Sequence, residues 1–454
     1  MTNACLTFEH GIESIHDEEV SAGADIALCK HLGFLLQQRS AILLEETFEE
    51  TNVTILKREE IDTLPVDLVP EARNDISIMD EIGHTLSALE MVLRSSVTSI
   101  FTSFSRMGSE VMQLLLEIIR EGLISNDDES KRPSTIQVDF RISDSCLKSA
   151  TKILGHFARV GTLTEPLANT KGLLTLLRAL ISCSESLVPK ESKWNSLWII
   201  ANLACNAENM VMMACHPGLM ETLVEVASHP TDSEERDIGS IMDYVGLLRS
   251  RSIAVRAILN LSWAHDNKVP FSDHRQLVAV LLRIAKHRKS LWTGRGKGVS
   301  GILLQSRRYA AGAIRNLASA PRRNKAILCS SDNGRFLDEL ADIAANDSDS
   351  DVRDRIHAAL FNLVCADTAD YYTRSNITLQ VILQAAFLER NKMTVNDDNE
   401  GIGMACRTLK TLEKAVPEDA EGFQVLRKIL DQFEGPTEQV DESTLSSLGA
   451  TEAV

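Results

Sequence analysis

Apolar residues recur along most of this chain at intervals of three and four, the spacing that gathers side chains on one face of an α-helix. "ADIALCKHLGFLLQQRSAILLEETFEE", "LSALEMVLRSSVTSIFTSFSRMGSEVMQLLLEIIREGL" and "RQLVAVLLRIA" all carry it. Polar, turn-forming stretches separate such runs: "EEIDTLPVDLVPEARND" with Pro65 and Pro70, "SNDDESKRPST", "SHPTDSEERDIGS", "KHRKSLWTGRGKGVSG" and "AANDSDSDVRDR". Leu, Ile, Ala and Val carry most of the apolar content and aromatics are only 5%. That composition suits helix-on-helix packing better than a β-sandwich.

One apolar run has an amide at its centre. "SLWIIANLACN" places Asn202 where a buried helix would need no polar group, and "VRAILNLSWA", "AGAIRNLASA" and "HAALFNLVCA" repeat the pattern at Asn260, Asn316 and Asn362. The intervals are 58, 56 and 46 residues, and each of the first three segments is followed by a second helical motif: "GLMETLVEVA", "RQLVAVLLRIA" and "GRFLDELADIA". An earlier, degenerate copy, "ATKILGHFARV" then "KGLLTLLRALI", has Gly155 and His156 at the amide position, and a weaker unit runs from "ITLQVILQAAFLE" to "GFQVLRKILDQF". An all-helical period somewhat above forty residues is the signature of a HEAT or armadillo solenoid. The surplus length falls in the polar stretches, read as insertions that a solenoid tolerates because its units touch only their neighbours.

The organisation expected is a divergent, partly helical region over 1–80, a helical capping region and linker over 81–142, armadillo-like repeats over 143–433, and a disordered acidic tail over 434–454. The segments "ILNLSWAHDN", "IRNLASAPRRN" and "LFNLVCADT" resemble armadillo repeats, whose third helix commonly carries an Ala-x-x-Asn-Leu-small pattern. The resemblance covers Ser196 to about Asp370 and extends back to Ser143. It implies an all-α, right-handed armadillo-type superhelical solenoid (an alpha-alpha superhelix) of roughly five to seven helical units. It also implies a non-enzymatic scaffold or adaptor that holds an extended segment of a protein partner in a concave groove lined by the third helices.

Four buried amides in equivalent places must be satisfied or exposed, since an unpartnered one costs a few kcal/mol. In the groove that the resemblance implies, Asn202, Asn260, Asn316 and Asn362 would match the C=O and N–H of an extended backbone. The alternative is that they tie neighbouring helices together and bind nothing. One and two turns earlier on the same face stand Trp198 and Trp194, Arg256 and Ser252, Gly312 and Arg308, and Ala358 and Asp354. Trp194 and Trp198 would take an apolar or cationic side chain, and Arg256, Arg308 and Arg315 would select acidic character. The Trp198–Asn202 pair is similar to the element by which importin-alpha proteins hold basic peptides. This chain has one such pair, an acidic first twenty residues, and arginines where a cationic cargo would be repelled. A nuclear-transport adaptor and a constitutive structural subunit are the rival functions.

The net charge of −17 argues against general nucleic-acid binding, but it is unevenly spread. From His274 to Ser331, 58 residues hold 13 Lys and Arg and no Asp or Glu, leaving −30 on the remainder. Lys286, Arg288, Lys289, Arg295, Lys297, Arg307, Arg322, Arg323 and Lys325 form the body of this basic patch. It has three readings: a solvated helix face, a surface covered by the chain's own acidic tail or N-terminal region, or a dock for an acidic or phosphorylated peptide through Arg308, Arg315, Arg322 and Arg323. "WTGRGKGVSG" lacks phosphate-loop spacing, and Trp292 and Tyr309 alone make a poor stacking platform for single strands.

Nine cysteines without a CxxC pair read as reduced thiols of a cytoplasmic or nuclear protein, and no signal peptide, transit peptide or membrane span is expected. No metal, cofactor or catalytic constellation is expected either: there is no HExxH and no Cys/His quartet. Cys205 and Cys365, three residues after a ladder Asn, read as small packing positions.

Overall fold

The computed structural model describes residues 144–183, 188–288, 298–319, 321–331, 335–392 and 404–416, with short stretches inside 82–87, 112–120 and 424–430. The expectations for 1–80, for Lys289, Trp292, Arg295 and Lys297, and for the tail 434–454 lie outside the described residues. Among the described residues every regular element is a helix. The chain divides into two compact units, Met1–Asn209 and Met210–Val454.

In the first unit α1 (Asp144–Ala158) is followed by α2 (Thr164–Ala168), α3 (Leu173–Ser182) and α4 (Lys190–Leu203). The last three form one repeat: a short first helix, a second, and a third that packs on both α3 and α1. The apolar stripe of α3, Leu173, Leu174, Leu177, Leu180 and Ile181, is buried. Each such side chain contributes roughly 1.5–3 kcal/mol by leaving water. Gly172 opens α3 at φ 86°, a left-handed conformation that lets a short turn reverse the chain into the second helix. Gly218 does the same before the next second helix, at φ 74°.

The division between the units falls in α5 (Ala207–Ala214). The second unit continues with α6 (Leu219–Ser228), α7 (Asp232–Asp237), α8 (Ile241–Leu261), α9 (His265–Asp273), α10 (Arg275–Lys286), α11 (Val299–Ala318), α12 (Arg322–Ser330), α13 (Arg335–Asn346), α14 (Ser350–Leu363), α15 (Ala369–Arg374), α16 (Asn376–Lys392) and α17 (Met404–Ala415). Three complete repeats, α9–α11, α12–α14 and α15–α17, follow the one that ends in α8. Third helices stack on third helices, α8 on α11, α11 on α14 and α14 on α17, and second helices likewise, α6, α10, α13 and α16 in turn. In α10 the buried residues Leu277, Val278, Val280, Leu281, Ile284 and Ala285 follow helical spacing, while Arg283 and Lys286 face outward.

The surplus length between the first ladder amides is not all loop. The third helices α8 and α11 have 21 and 20 residues, against 14 in α4 and α14. Their added first turns bury Tyr244, Leu248, Val299 and Leu303 against Ile238, Ile241, Val245 and Ile302. "SHPTDSEERDIGS" supplies Ile238 to this small core and folds into α7, which is opened by a reciprocal cap between Thr231 and Glu234. The reading of that stretch as a plain polar insertion is corrected accordingly.

Candidate functional site: third-helix faces and their polar ties

Asn202, Asn260 and Asn362 lie half-buried near the ends of α4, α8 and α14. Asn316 differs: it is 5% exposed, and its Nδ2 donates to the Leu259 carbonyl (3.3 Å) and to Ser262 Oγ (3.1 Å) of the preceding third helix. Its amide hydrogens are committed to a neighbouring repeat, so the expectation that Asn316 grips a peptide backbone is corrected to a tie between helices. Gly312, one turn earlier, shows why that stretch is closed. A Cβ at Gly312 would lie 2.9 Å from Arg355 Nη1 and 3.0 Å from Leu259 Cδ1, so Arg355 of α14 occupies the space over it. Arg355 is held there by Asp351 (3.2 and 3.1 Å) and by donation to the Arg308 carbonyl (3.0 Å).

A second amide series, which the sequence reading missed, does most of the tying. Asn209 of α5, Asn267 of α9 and Asn324 of α12 are buried. Each donates to the last turn of the preceding third helix, at the carbonyls of Leu203 (3.0 Å), Leu261 (2.9 Å) and Leu317 (3.2 Å). Each also reaches the preceding first helix: Asn209 to the Thr164 carbonyl, Asn267 to the Met210 carbonyl and Asn324 to Ser272 Oγ. Before α15 Thr368 takes this place, its Oγ1 donating to the Leu363 carbonyl (2.8 Å). Helix ends leave carbonyls without intrahelical partners, and one side chain per repeat satisfies one of them.

A cation series is equally regular. Nine residues before each ladder Asn stand Lys193, Arg251, Arg307 and Arg353. Each donates to the C-terminal end of its own second helix: Lys193 to the Cys183 carbonyl, Arg251 to those of His229 and Pro230, Arg307 to that of Ala285 (3.3 Å), and Arg353 to that of Asp347 (2.6 Å). A positive charge at a helix C-terminus also suits the helix dipole. Arg307 therefore belongs to the scaffold, not to a free surface, and its place in the basic patch is corrected.

Part of the charge asymmetry is balanced inside the second unit. Lys286 pairs with Glu339, Arg288 with Asp342 (3.5 Å) and Asp347 (3.5 Å), and Arg307 with Asp347, whose side chain is wholly buried. Arg308 makes a fork to Asp349 (3.1 and 2.6 Å) and lies 3.5 Å from Asp351. The bond to Arg308 is the main reason that the Asp349 carboxyl is held below its ordinary value, and the same bond raises the Arg308 guanidinium. The acids thus come from "LDELADIAANDSDSD", in the next repeat. Arg308 is neither an open selector of acidic peptide nor an unpaired charge that would repel a basic one. Arg315 and Lys325 are half-buried, and Arg322 and Arg323 are exposed at the start of α12.

These repeats are armadillo-like. Three helices per unit, a short first helix and stacked third helices tied by amides carry the assignment. No family model and no curated protein matches the chain. Among solved structures, a designed armadillo repeat protein in complex with the peptide (KR)4 is 17% identical, over 66% of this chain and 100% of its own, with a TM-score of 0.41. An engineered protein is 15% identical, over 93% of this chain and 97% of its own, with a TM-score of 0.39. A structure described as concerning a phosphorylation switch in the interaction between cadherin and β-catenin is 14% identical, over 88% of this chain and 84% of its own, at 0.31.

Within these armadillo-like repeats the aromatic positions stand out by exposure. Trp198 is 42% exposed in the middle of α4, one turn before Asn202, and Trp194 is half-buried a turn earlier. In the second unit Arg256 and Asn260 are half-buried, and Trp263, three residues past Asn260, is 63% exposed. Cys205, at the position equivalent to Trp263, is exposed as well, as is Ser319, while Cys365 is buried. The expectation of a small packing position therefore holds for Cys365 alone. Cys329 is buried beside Cys365 and Lys325, and burial pushes its thiol up to about 12. Among the described residues no group of three His, Cys, Asp or Glu could hold a metal ion, and no helix is long and apolar enough to cross a membrane.

Proposed function

We propose that the protein is a binding scaffold whose third-helix faces hold an extended segment of a partner protein. The observation that carries this reading is Trp198, a large aromatic left 42% exposed on a helix whose other face is packed, with an amide one turn beyond it. Exposed indoles anchor interfaces because they bury a large area at little entropic cost. Asn202 beside Trp198, and Asn260 between Arg256 and Trp263, supply donors and acceptors for a backbone, and Arg256 supplies a charge that favours acidic character. The adaptor role belongs to this proposal, as does residence in the reducing cytoplasm or nucleus, which the lack of a disulfide among the described cysteines supports.

The test is recovery of partners from native extract by the full chain, by Trp198→Ala with Asn202→Ala, and by Trp263→Ala with Asn260→Ala, after circular dichroism shows all three folded. The proposal expects a partner retained by the intact chain and lost, by roughly tenfold or more, from at least one variant. An unchanged set of partners in both variants refutes the third-helix faces as the binding surface.

A further inference from the structure

The cations of the basic segment fall into two groups. Arg283, Lys286, Arg288, Arg307 and Arg308 are spent inside the fold, on the Ser228 carbonyl (2.5 Å) and on Glu339, Asp342, Asp347, Asp349 and Asp351. Arg275, Arg315, Arg322, Arg323 and Lys325 make no ion pair among the described residues, Arg275 standing by itself at the start of α10. The last four flank the junction of two helices: Arg315 lies in the last turn of α11, and Arg322 and Arg323 open α12 with Lys325 just behind them.

The sister helices show that the repeat does not require such charges. The first turns of α2, α5, α9 and α15 carry Glu165, Glu208, Asp266 and Asp370, where α12 carries two arginines and no acid. An acid suits the positive pole of a helix and an arginine opposes it, so α12 is less favourable alone than its sisters. The nearest repeats do not neutralise it. Asp266, on α9, which packs against α12, lies beside His265 (3.6 Å), and Asp370 pairs with Arg374 (2.5 Å). An exposed basic point that the fold opposes and leaves unpaired, on a chain of net charge −17, fits a ligand of opposite charge.

We propose that the α11–α12 turn is a docking point for an acidic, Glu- or Asp-rich segment of a partner protein. Arg322 and Arg323 offer exposed guanidinium forks to carboxylates, and Arg315 extends the contact onto the third-helix face. The chain's net charge of −17 disfavours such a segment on average, so binding depends on this local cluster and weakens as salt screens it. This surface is independent of Trp198, which lies in the other unit.

The test is fluorescence anisotropy with the full chain and a labelled peptide of repeating Gly-Glu-Glu, beside its Gly-Gln-Gln counterpart. The Glu peptide should bind at least about tenfold tighter than the Gln peptide and lose affinity as salt rises. Arg322→Glu with Arg323→Glu should abolish the preference, and Arg322→Gln with Arg323→Gln should reduce it, both variants keeping the helical spectrum because the side chains are exposed. Arg275→Glu, at another exposed arginine of the same segment, and Trp198→Ala should leave it unchanged. Equal binding of the two peptides, no binding of the Glu peptide, or an equal loss in Arg275→Glu overturns the proposal. A loss in Trp198→Ala alone overturns it too, and assigns the peptide to the indole face.

Discussion

Replacing Asn267 with alanine tests whether the first-helix amides, not the third-helix ladder, hold successive repeats together. Asn267 is buried, and its Nδ2 bonds the carbonyls of Leu261 and Met210, both at 2.9 Å. Leu261 closes α8, where a carbonyl has no intrahelical donor, so the substitution leaves that oxygen buried and unmatched. Two net hydrogen bonds at roughly 0.5–1.5 kcal/mol each, plus the cost of an orphaned carbonyl, give a loss of about 2–4 kcal/mol. Asn362 is the control, since it is half-buried and makes no side-chain hydrogen bond among the described residues. Its replacement should stay within roughly 0.5 kcal/mol. Urea unfolding followed at 222 nm compares the two, with amide hydrogen exchange along α8 and α9 locating the loosened region, because repeat arrays need not unfold in one step. A shift for Asn267→Ala no larger than that for Asn362→Ala would refute the assignment.

Further outcomes rest on the charges. Asp347→Ala strips a buried arginine of its partner and should cost about 3–5 kcal/mol by urea unfolding, well above the effect of Glu339→Ala at the more exposed Lys286 pair. The Asp349 carboxyl is lowered by Arg308, so its contribution is present above the ordinary carboxylate value near ~3.9 and is lost as pH falls through the folded value. Arg308→Gln should therefore be less stable than the parent at neutral pH, with the gap closing below about pH 4; a gap independent of pH contradicts the pairing. Maleimide at neutral pH should modify the exposed Cys205 and Cys215 well before Cys329, whose thiol is buried and stays protonated, and mass spectrometry after digestion reads the order.

The period of the repeats was legible because Asn-Leu-small recurs in a nearly constant frame. The elongation of α8 and α11 was not, since Ile238 sits among polar residues and is covered by Tyr244 and Leu248 only when two added turns meet. Lys193, Arg251, Arg307 and Arg353 were in plain view at a constant offset from the ladder. They were counted as surface charge because nothing in a linear chain marks the helix end each one meets. Asn209, Asn267 and Asn324 escaped for a related reason: each stands in a polar turn, where an amide needs no explanation until it is found buried.

The basic segment shows the same limit and what lies beyond it. An acid-free run looked like a vacancy for a partner, yet Arg307 and Arg308 find Asp347 and Asp349 some forty residues on. The run and "LDELADIAANDSDSD" are two sides of one inter-repeat contact, the six acids of the second offsetting part of the thirteen basic residues of the first. Asymmetry of charge along a repeat chain is therefore weak ground for a ligand until the next repeat has been subtracted. After that subtraction the remainder among the described residues is Arg275 by itself on α10 and one group, Arg315, Arg322, Arg323 and Lys325, at the start of α12, where four sister helices begin with an acid and this one does not. A charge with an internal partner contributes to the fold whether or not anything binds, whereas Arg322 and Arg323 oppose the helix they open. That opposition is what singles them out as a docking point among the described cations of the segment.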